Sequence, residues 1–95
     1  MHITSMRRLR EFWSVHPQAE RPLRAWYTHV QRANWAHFAQ VRLDFPSADQ
    51  VKRLTVFHIG GNNYRLVARI EFEKQRVYIR SVMTHNDYDR DKLKK

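Results

Sequence analysis

Cysteine is absent from the 95 residues, which removes a disulfide scaffold, thiolate catalysis and cysteine-based zinc sites together. The absence also fits a reducing compartment, and a cytoplasmic location is expected. Glycine occurs twice, as the adjacent pair Gly60 and Gly61. That is too little for a P-loop or a G-x-G-x-x-G turn, so no nucleotide cofactor is expected. No stretch of about 18 apolar residues exists to span a membrane, and no signal-peptide pattern opens the chain. The six histidines show no H-x-H or H-E-x-x-H spacing and make no ligand set. No metal is therefore expected. A serine or cysteine nucleophile with its triad is likewise unsupported.

Acidic side chains are the other scarcity. Nine Asp and Glu stand against 18 Lys and Arg, giving a net charge of +9 and a pI near 10.7. So large a surplus on 11.6 kDa points to a polyanionic partner. Arginine supplies most of it, 13 residues against five lysines, and its planar fork grips phosphate oxygens bidentately and stacks on bases. The surplus is uneven. Residues 1–50 hold seven bases and four acids, and residues 51–95 hold 11 and five.

The length allows one domain, spanning residues 1–95. A hydrophobic content of 42% and an aromatic content of 13% argue against disorder. Ile3 lies in a short opening that fits an edge strand. Ser5 is placed to cap a helix over 6–15, in which Leu9, Phe12 and Trp13 follow i, i+3, i+4 spacing. Pro17 ends that helix by disfavouring helical backbone at His16. A second helix is predicted from about Pro22 to Asn34, with Leu23, Trp26, Tyr27, Val30 and Ala33 along one face. Trp35, Phe38 and Val41 continue an apolar stripe, and 45–49 reads as a turn or short helical connection.

From Leu54 the period becomes strand-like. Residues 54–59 are rich in strand formers, and the sequence Gly60-Gly61-Asn62-Asn63 signals a hairpin. In the following strand, 64–72, Tyr64, Leu66, Ala68, Ile70 and Phe72 face one way and Arg65, Val67, Arg69 and Glu71 the other. A third strand over 76–83 sets Val77, Ile79, Ser81 and Met83 against Tyr78, Arg80 and Val82. The tail from Thr84 is too charged for a core and reads as a fraying helix. The fold class is α+β, with two N-terminal helices packed on a small antiparallel sheet. The uncovered sheet face would carry Arg65, Arg69 and Arg80 in a row.

Two groups of residues invite chemistry. Arg65 and Arg69 share a strand face about 13 Å apart, near two phosphate spacings of an extended nucleic acid. Arg65 also adjoins the glycine turn, where backbone amides can approach a phosphate. The same alternation equally describes a solvated face on which Glu71 and Glu73 serve as partners. After the last strand comes Thr84-His85-Asn86-Asp87-Tyr88-Asp89. His85 has the side chain best suited to proton transfer near neutral pH, and Tyr88 would share a helical face with it. A histidine at a strand end also serves structural ends, and His58 beside the hairpin stands in the same position.

Three segments together, 44–51 (DFPSADQV), 56–67 (VFHIGGNNYRLV) and 78–89 (YIRSVMTHNDYD), resemble the HigB family. These are toxins of type II toxin–antitoxin systems in the RelE-like ribonuclease superfamily. The resemblance covers about residues 5–90, and its carrying motifs are F-x-I-G-G-N-x-Y-R-L and V-x-T-H-x-x-Y-D. It implies a RelE-like α+β toxin that cleaves messenger RNA, often on the ribosome, and a neighbouring helix-turn-helix antitoxin of the HigA type. It also implies metal-independent chemistry, in which the 2′-hydroxyl attacks the adjacent phosphate and leaves a cyclic phosphate and a 5′-hydroxyl.

By the resemblance, Arg65 is the phosphate clamp, His85 the proton donor and Tyr88 an acid/base or base-stacking side chain. The general base stays open. Arg80 is a second phosphate candidate, and Arg69, His58, Asn62 and Asn63 complete the expected RNA contacts. Two positions depart from the family's pattern, which more often has Asn where His58 stands and Lys where Asn63 stands. His58 could then compensate as a proton carrier or cation. A non-catalytic basic module that binds RNA or the ribosome accounts for the same charge without the chemistry. A DNA-binding domain built on the helices ranks last, because the three tryptophans look like core anchors.

Overall fold

The computed structural model describes residues 1–91; the last four residues of the charged tail, 92–95, lie outside the described residues. The chain runs through β1 (His2–Thr4), α1 (Met6–Val15), α2 (Glu20–Arg32), α3 (Phe38–Asp44), β2 (Asp49–Val51), β3 (Leu54–Ile59), β4 (Tyr64–Glu71), β5 (Arg76–Thr84) and α4 (His85–Asp91). The α+β class holds, but the sheet is not a three-stranded antiparallel meander. It is mixed and five-stranded, in the order β1-β5-β4-β3-β2. β1 runs parallel to β5, with Ile3 opposite Val77, and β2 runs antiparallel to β3. β1 is the edge strand expected at Ile3, whereas β2 is unexpected; each has three residues, too few to display a two-residue period. Four helices accompany the sheet among the described residues: the two expected at the N-terminus, α3, and α4, where the tail is expected to form a fraying helix.

The helices form where apolar residues recur at helical spacing. Leu9 of α1 and Leu23, Trp26 and Val30 of α2 are buried together against Phe57, Ile59, Leu66, Ala68, Val77 and Ile79 of the sheet. At the start of α1, Ser5 takes a left-handed conformation (φ 74°, ψ 38°) and its hydroxyl makes no cap. The Ser5 carbonyl instead accepts the Arg8 N–H at 2.9 Å, so the expected side-chain cap is replaced by a backbone bond. The stripe of Trp35, Phe38 and Val41 becomes helical only from Phe38. Trp35 is anchored by its indole N–H, which donates to Asp44 Oδ2 at 2.9 Å.

Phe57 sits at the centre of the core, fully buried. Its ring centroid lies 5.2 Å from that of Phe45, 5.4 Å from Trp26 and 6.5 Å from Trp35. These contacts hold α2, Trp35 and the end of α3 against β3, at separations where aromatic pairs attract beyond simple area burial.

The pairing of β4 with β5 contains one irregularity that redirects side chains. Val67 faces Ser81, but Ala68 faces Ile79, so Arg80 is an extra residue in β5. The expected alternation of β5 therefore fails past Ile79. Val82 returns to the core side, while Ser81 and Met83 pair with Val67 and Arg65 on the opposite face. A bulge flips every side chain beyond it, and local sequence carries no mark of it.

Removing the central ring tests this description. Phe57→Ala should cost about 3–5 kcal/mol, as expected for a large buried aromatic, read as a lowered midpoint in urea unfolding followed by tryptophan fluorescence.

Candidate functional site

The hairpin between β3 and β4 positions the main group. Gly60 and Gly61 both take positive φ, 62° and 69°, while neither asparagine does. A Cβ on Gly60 would lie 3.4 Å from the Tyr64 ring, so this turn combines a backbone demand with close packing. The Asn63 N–H bonds the Gly60 carbonyl at 3.3 Å. The register then sets Ile59 against Tyr64 and His58 against Arg65, which places His58 and Arg65 side by side on one sheet face. Met83 of β5 flanks Arg65 on its other side.

Arg65 is only 6% exposed. Nη1 donates to the carbonyls of Asn62 (3.2 Å) and Tyr64 (3.1 Å), and Nη2 donates to Asn62 Oδ1 (2.8 Å). Its guanidinium carbon lies 5.9 Å from the centroid of the Tyr88 ring, within cation–π range. No carboxylate among the described residues pairs with it. A buried charge is normally met by an opposite one; this one is met only by neutral oxygens and an aromatic face.

Helix α4 brings the remaining residues. Thr84 Oγ1 accepts the Asp87 N–H at 3.1 Å, capping the first turn, and Arg90 pairs with Asp87 one turn on. The His85 N–H bonds the Asn63 carbonyl at 2.8 Å, fastening the start of α4 to the hairpin turn. His85 Nδ1 lies 3.2 Å from Asp89 Oδ2. That nitrogen is shielded from solvent and off the line of a proper hydrogen bond, so the two side chains are in contact without one. Burial first, then the positive field of Arg65, hold the His58 imidazole below the ordinary histidine value, and the Asp49 carboxylate opposes them.

Of the residues expected to act, the fold thus gathers Arg65, Tyr88, His85, His58, Asn62 and Asn63 around one hairpin turn. Asn62 offers both its oxygens to Arg65, and Asn63 offers its carbonyl to α4. Arg65 and Arg69 share a face of β4, as expected, but their surroundings differ. Arg69 is beside Tyr78 in the register, with its guanidinium 4.9 Å from the Tyr78 ring and 2.9 Å from Glu71. Although burial raises the Glu71 carboxyl, the hydrogen bond and charge of Arg69 leave it below its ordinary value, so the pair stays ionised near neutrality. Arg80 stands exposed at the bulge with no ion pair or hydrogen bond to the described residues.

Sequence reasoning missed Asp89, Asp49 and Met83 as neighbours of the site. The pattern T-x-x-D at Thr84–Asp87 was available as a helix-start signal, and it would have placed His85 and Asp89 four apart on one helix. The positions of Asp49 and Met83 depend on β2 and on the bulge, which left no such signal. A cavity of about 600 Å³ opens elsewhere, between α2 and the end of α3 at His29, Arg32 and Asp44. It shares no residue with the Arg65 group.

Comparison with known proteins agrees with the motifs. The family model HigB_toxin, a RelE-like toxic component of a toxin–antitoxin system, matches residues 19–91. The chain is similar to the mRNA interferase toxin HigB of Escherichia coli strain K12, with 36% identity over 92 residues, covering 94% of this chain and 88% of that one. The mRNA interferase HigB of Shigella flexneri shows the same identity and coverage. The mRNA interferase HigB of Escherichia coli O6:H1 is 28% identical over 93 residues, 95% of this chain and 90% of that one. On this evidence, with the motifs lying on the strands and helix that surround Arg65, the chain belongs to the HigB toxin family, RelE-like toxic components of toxin–antitoxin systems.

Proposed function

We propose that this chain is the toxin of a type II toxin–antitoxin module and an endoribonuclease that cuts messenger RNA by metal-independent transphosphorylation. It works in the cytoplasm on messages held in the ribosome, and a helix-turn-helix antitoxin of the HigA type neutralises it. The observation that carries the chemistry is Arg65: a buried cation with no carboxylate partner among the described residues, facing the Tyr88 ring and paired across the strands with His58. Such a charge is suited to an anionic ligand that arrives from outside, and a phosphodiester is one.

In the reaction the 2′-oxygen bonds to phosphorus as the bond from phosphorus to the 5′-oxygen breaks. The products are a 2′,3′-cyclic phosphate and a 5′-hydroxyl. Arg65 stabilises the extra negative charge that develops on the pentacoordinate phosphate. His58, held in its neutral form near pH 7, is suited to take the proton of the 2′-hydroxyl, and His85 to give one to the departing 5′-oxygen. Of the two parts open to His58, its lowered proton affinity favours proton carrier over cation. Tyr88 offers its ring to a base, and the exposed Arg80 offers a charge to a neighbouring phosphate. DNA, with no 2′-hydroxyl, is not a substrate.

Inducible expression with mapping of message ends tests the reading. The wild type should arrest growth and leave cyclic-phosphate ends in extracts containing EDTA. Arg65→Ala should slow cleavage by about a hundredfold or more, the usual loss for one charge-stabilising donor, and His85→Ala should abolish arrest. Protein that binds RNA with a steep salt dependence yet never cuts it, even on translating ribosomes, would establish the non-catalytic module instead.

The protonation of His58 gives a second expectation. A base must be neutral, so the acid limb of the rate–pH profile should lie below the ordinary histidine value of about 6.5 and vanish in His58→Asn. Because the folded value is depressed, the unfolded chain binds the proton more readily. Stability should therefore fall as pH drops through the ordinary value toward the folded one. Thermal melts between pH 7 and pH 5 should show that fall in the wild type and less of it in His58→Asn.

A further inference from the structure

We infer that Asn62 is a positioning residue for Arg65, and that its function depends on its being neutral. The inference rests on the reading of Arg65 as the cation that meets the scissile phosphate. Two of the three hydrogen bonds that hold the guanidinium end on Asn62, one on its carbonyl (3.2 Å) and one on Oδ1 (2.8 Å). The third ends on the Tyr64 carbonyl. All three acceptors are uncharged, so they fix the direction of the fork without cancelling its charge.

The donors left over matter as much as those engaged. A guanidinium has five N–H donors in a planar fork. The bonds above take Nη1 and one hydrogen of Nη2. The Nε–H makes no hydrogen bond with the described residues, and it is not among the buried polar atoms sealed without a partner. Nε–H and the second Nη2 hydrogen are thus left without a partner among the described residues, donors through which arginine can grip phosphate oxygens.

An acidic residue at position 62 would hold the fork by the same oxygens and more tightly. It would also neutralise the charge that the phosphate needs and raise the cost of bringing an anion close. An alanine would release the fork while keeping its charge. The two variants therefore separate geometry from charge at a single position, which a residue needed only to shape the turn would not do. The turn itself rests on Gly60 and Gly61, whose positive φ values neither substitution alters.

The experiment compares wild type, Asn62→Ala, Asn62→Asp and Arg65→Ala. Cleavage of a reporter message in a cell-free translation reaction gives the rate. Binding to a 2′-O-methyl RNA oligonucleotide, which cannot be cut, gives affinity and its salt dependence, and thermal melts report folding. Asn62→Ala should cleave about tenfold more slowly or worse, since small misplacements of a catalytic group cost up to about a hundredfold, with the slope of log affinity against log salt unchanged. Asn62→Asp should melt at or above the wild-type temperature yet cleave no better than Asn62→Ala. Its salt slope should be shallower by about 0.7, the loss of one phosphate contact on single-stranded RNA. Asn62→Asp with wild-type cleavage and slope would overturn the inference, because a neutral acceptor would then be unnecessary. So would Asn62→Ala at wild-type rate while Arg65→Ala is inactive. Wild-type cleavage by Arg65→Ala would instead overturn the reading of Arg65 on which the inference rests.

Discussion

The hydrogen bonds that hold the Arg65 guanidinium inside the protein constrain more of this molecule than any other polar contact. A cation can be buried only if its donors are met, and here the acceptors come from the turn that precedes it in sequence. That turn must therefore have one shape. Gly60 and Gly61 supply the positive φ it needs, and its closure fixes the register of β3 on β4. The register in turn sets His58 beside Arg65. The same turn presents the Asn63 carbonyl to His85, so the start of α4, and with it Tyr88, is located from the hairpin as well as from β5. One short segment thus organises residues that come from two strands and a helix.

The opposite face of the sheet provides the rigidity this arrangement needs. Phe57 lies between His58 and Val56 in sequence but points away from them, into the rings of Trp26, Trp35 and Phe45. In a strand, alternate residues serve different faces. β3 therefore anchors the aromatic core with one residue and positions a titrating side chain with the next. Tyr64 and Arg65 divide the same duties in β4: Tyr64 packs edge-on against Phe12, with ring centroids 5.5 Å apart, while Arg65 faces Tyr88. Strain or slippage on the apolar side would be felt directly at the polar side.

The arginines also divide according to their surroundings, although composition presents them as one surplus. Among the described residues, Arg65 is buried without a counter-charge, Arg69 is neutralised by Glu71 and stacked on Tyr78, and Arg80 is exposed and unpaired at the bulge. The differences follow from neighbours: Asn62 and Tyr64 for Arg65, Glu71 on the same strand and Tyr78 on the next for Arg69, and the bulge for Arg80. Motif reading placed Arg65, His85 and Tyr88 in one group because they sit in sequence patterns shared with the family, and the fold brings those three to the same hairpin and helix. It could not separate Arg69 from Arg65, since both occupy the same face of one strand and differ only in the neighbours the fold brings to each.

The sequence by itself determined what depends on near neighbours along the chain. The helix over Met6–Val15, the three long strands, the glycine hairpin and the alternation of β4 all follow from periodicity and turn chemistry acting within a few residues. Family membership was legible too, because the residues of two motifs are contiguous in the chain. Tertiary structure alone decided what depends on distant partners. It added β2, whose three residues gain order from the strand they meet, set the expected edge strand at Ile3 parallel to β5, and inserted the bulge at Arg80 that turned Ser81 and Met83 to the other face. It also assigned Asn62 to Arg65 and His58 to its lowered proton affinity. Burial, register and electric field are properties of the assembled sheet, and no window of sequence contains both sides of the contacts that create them.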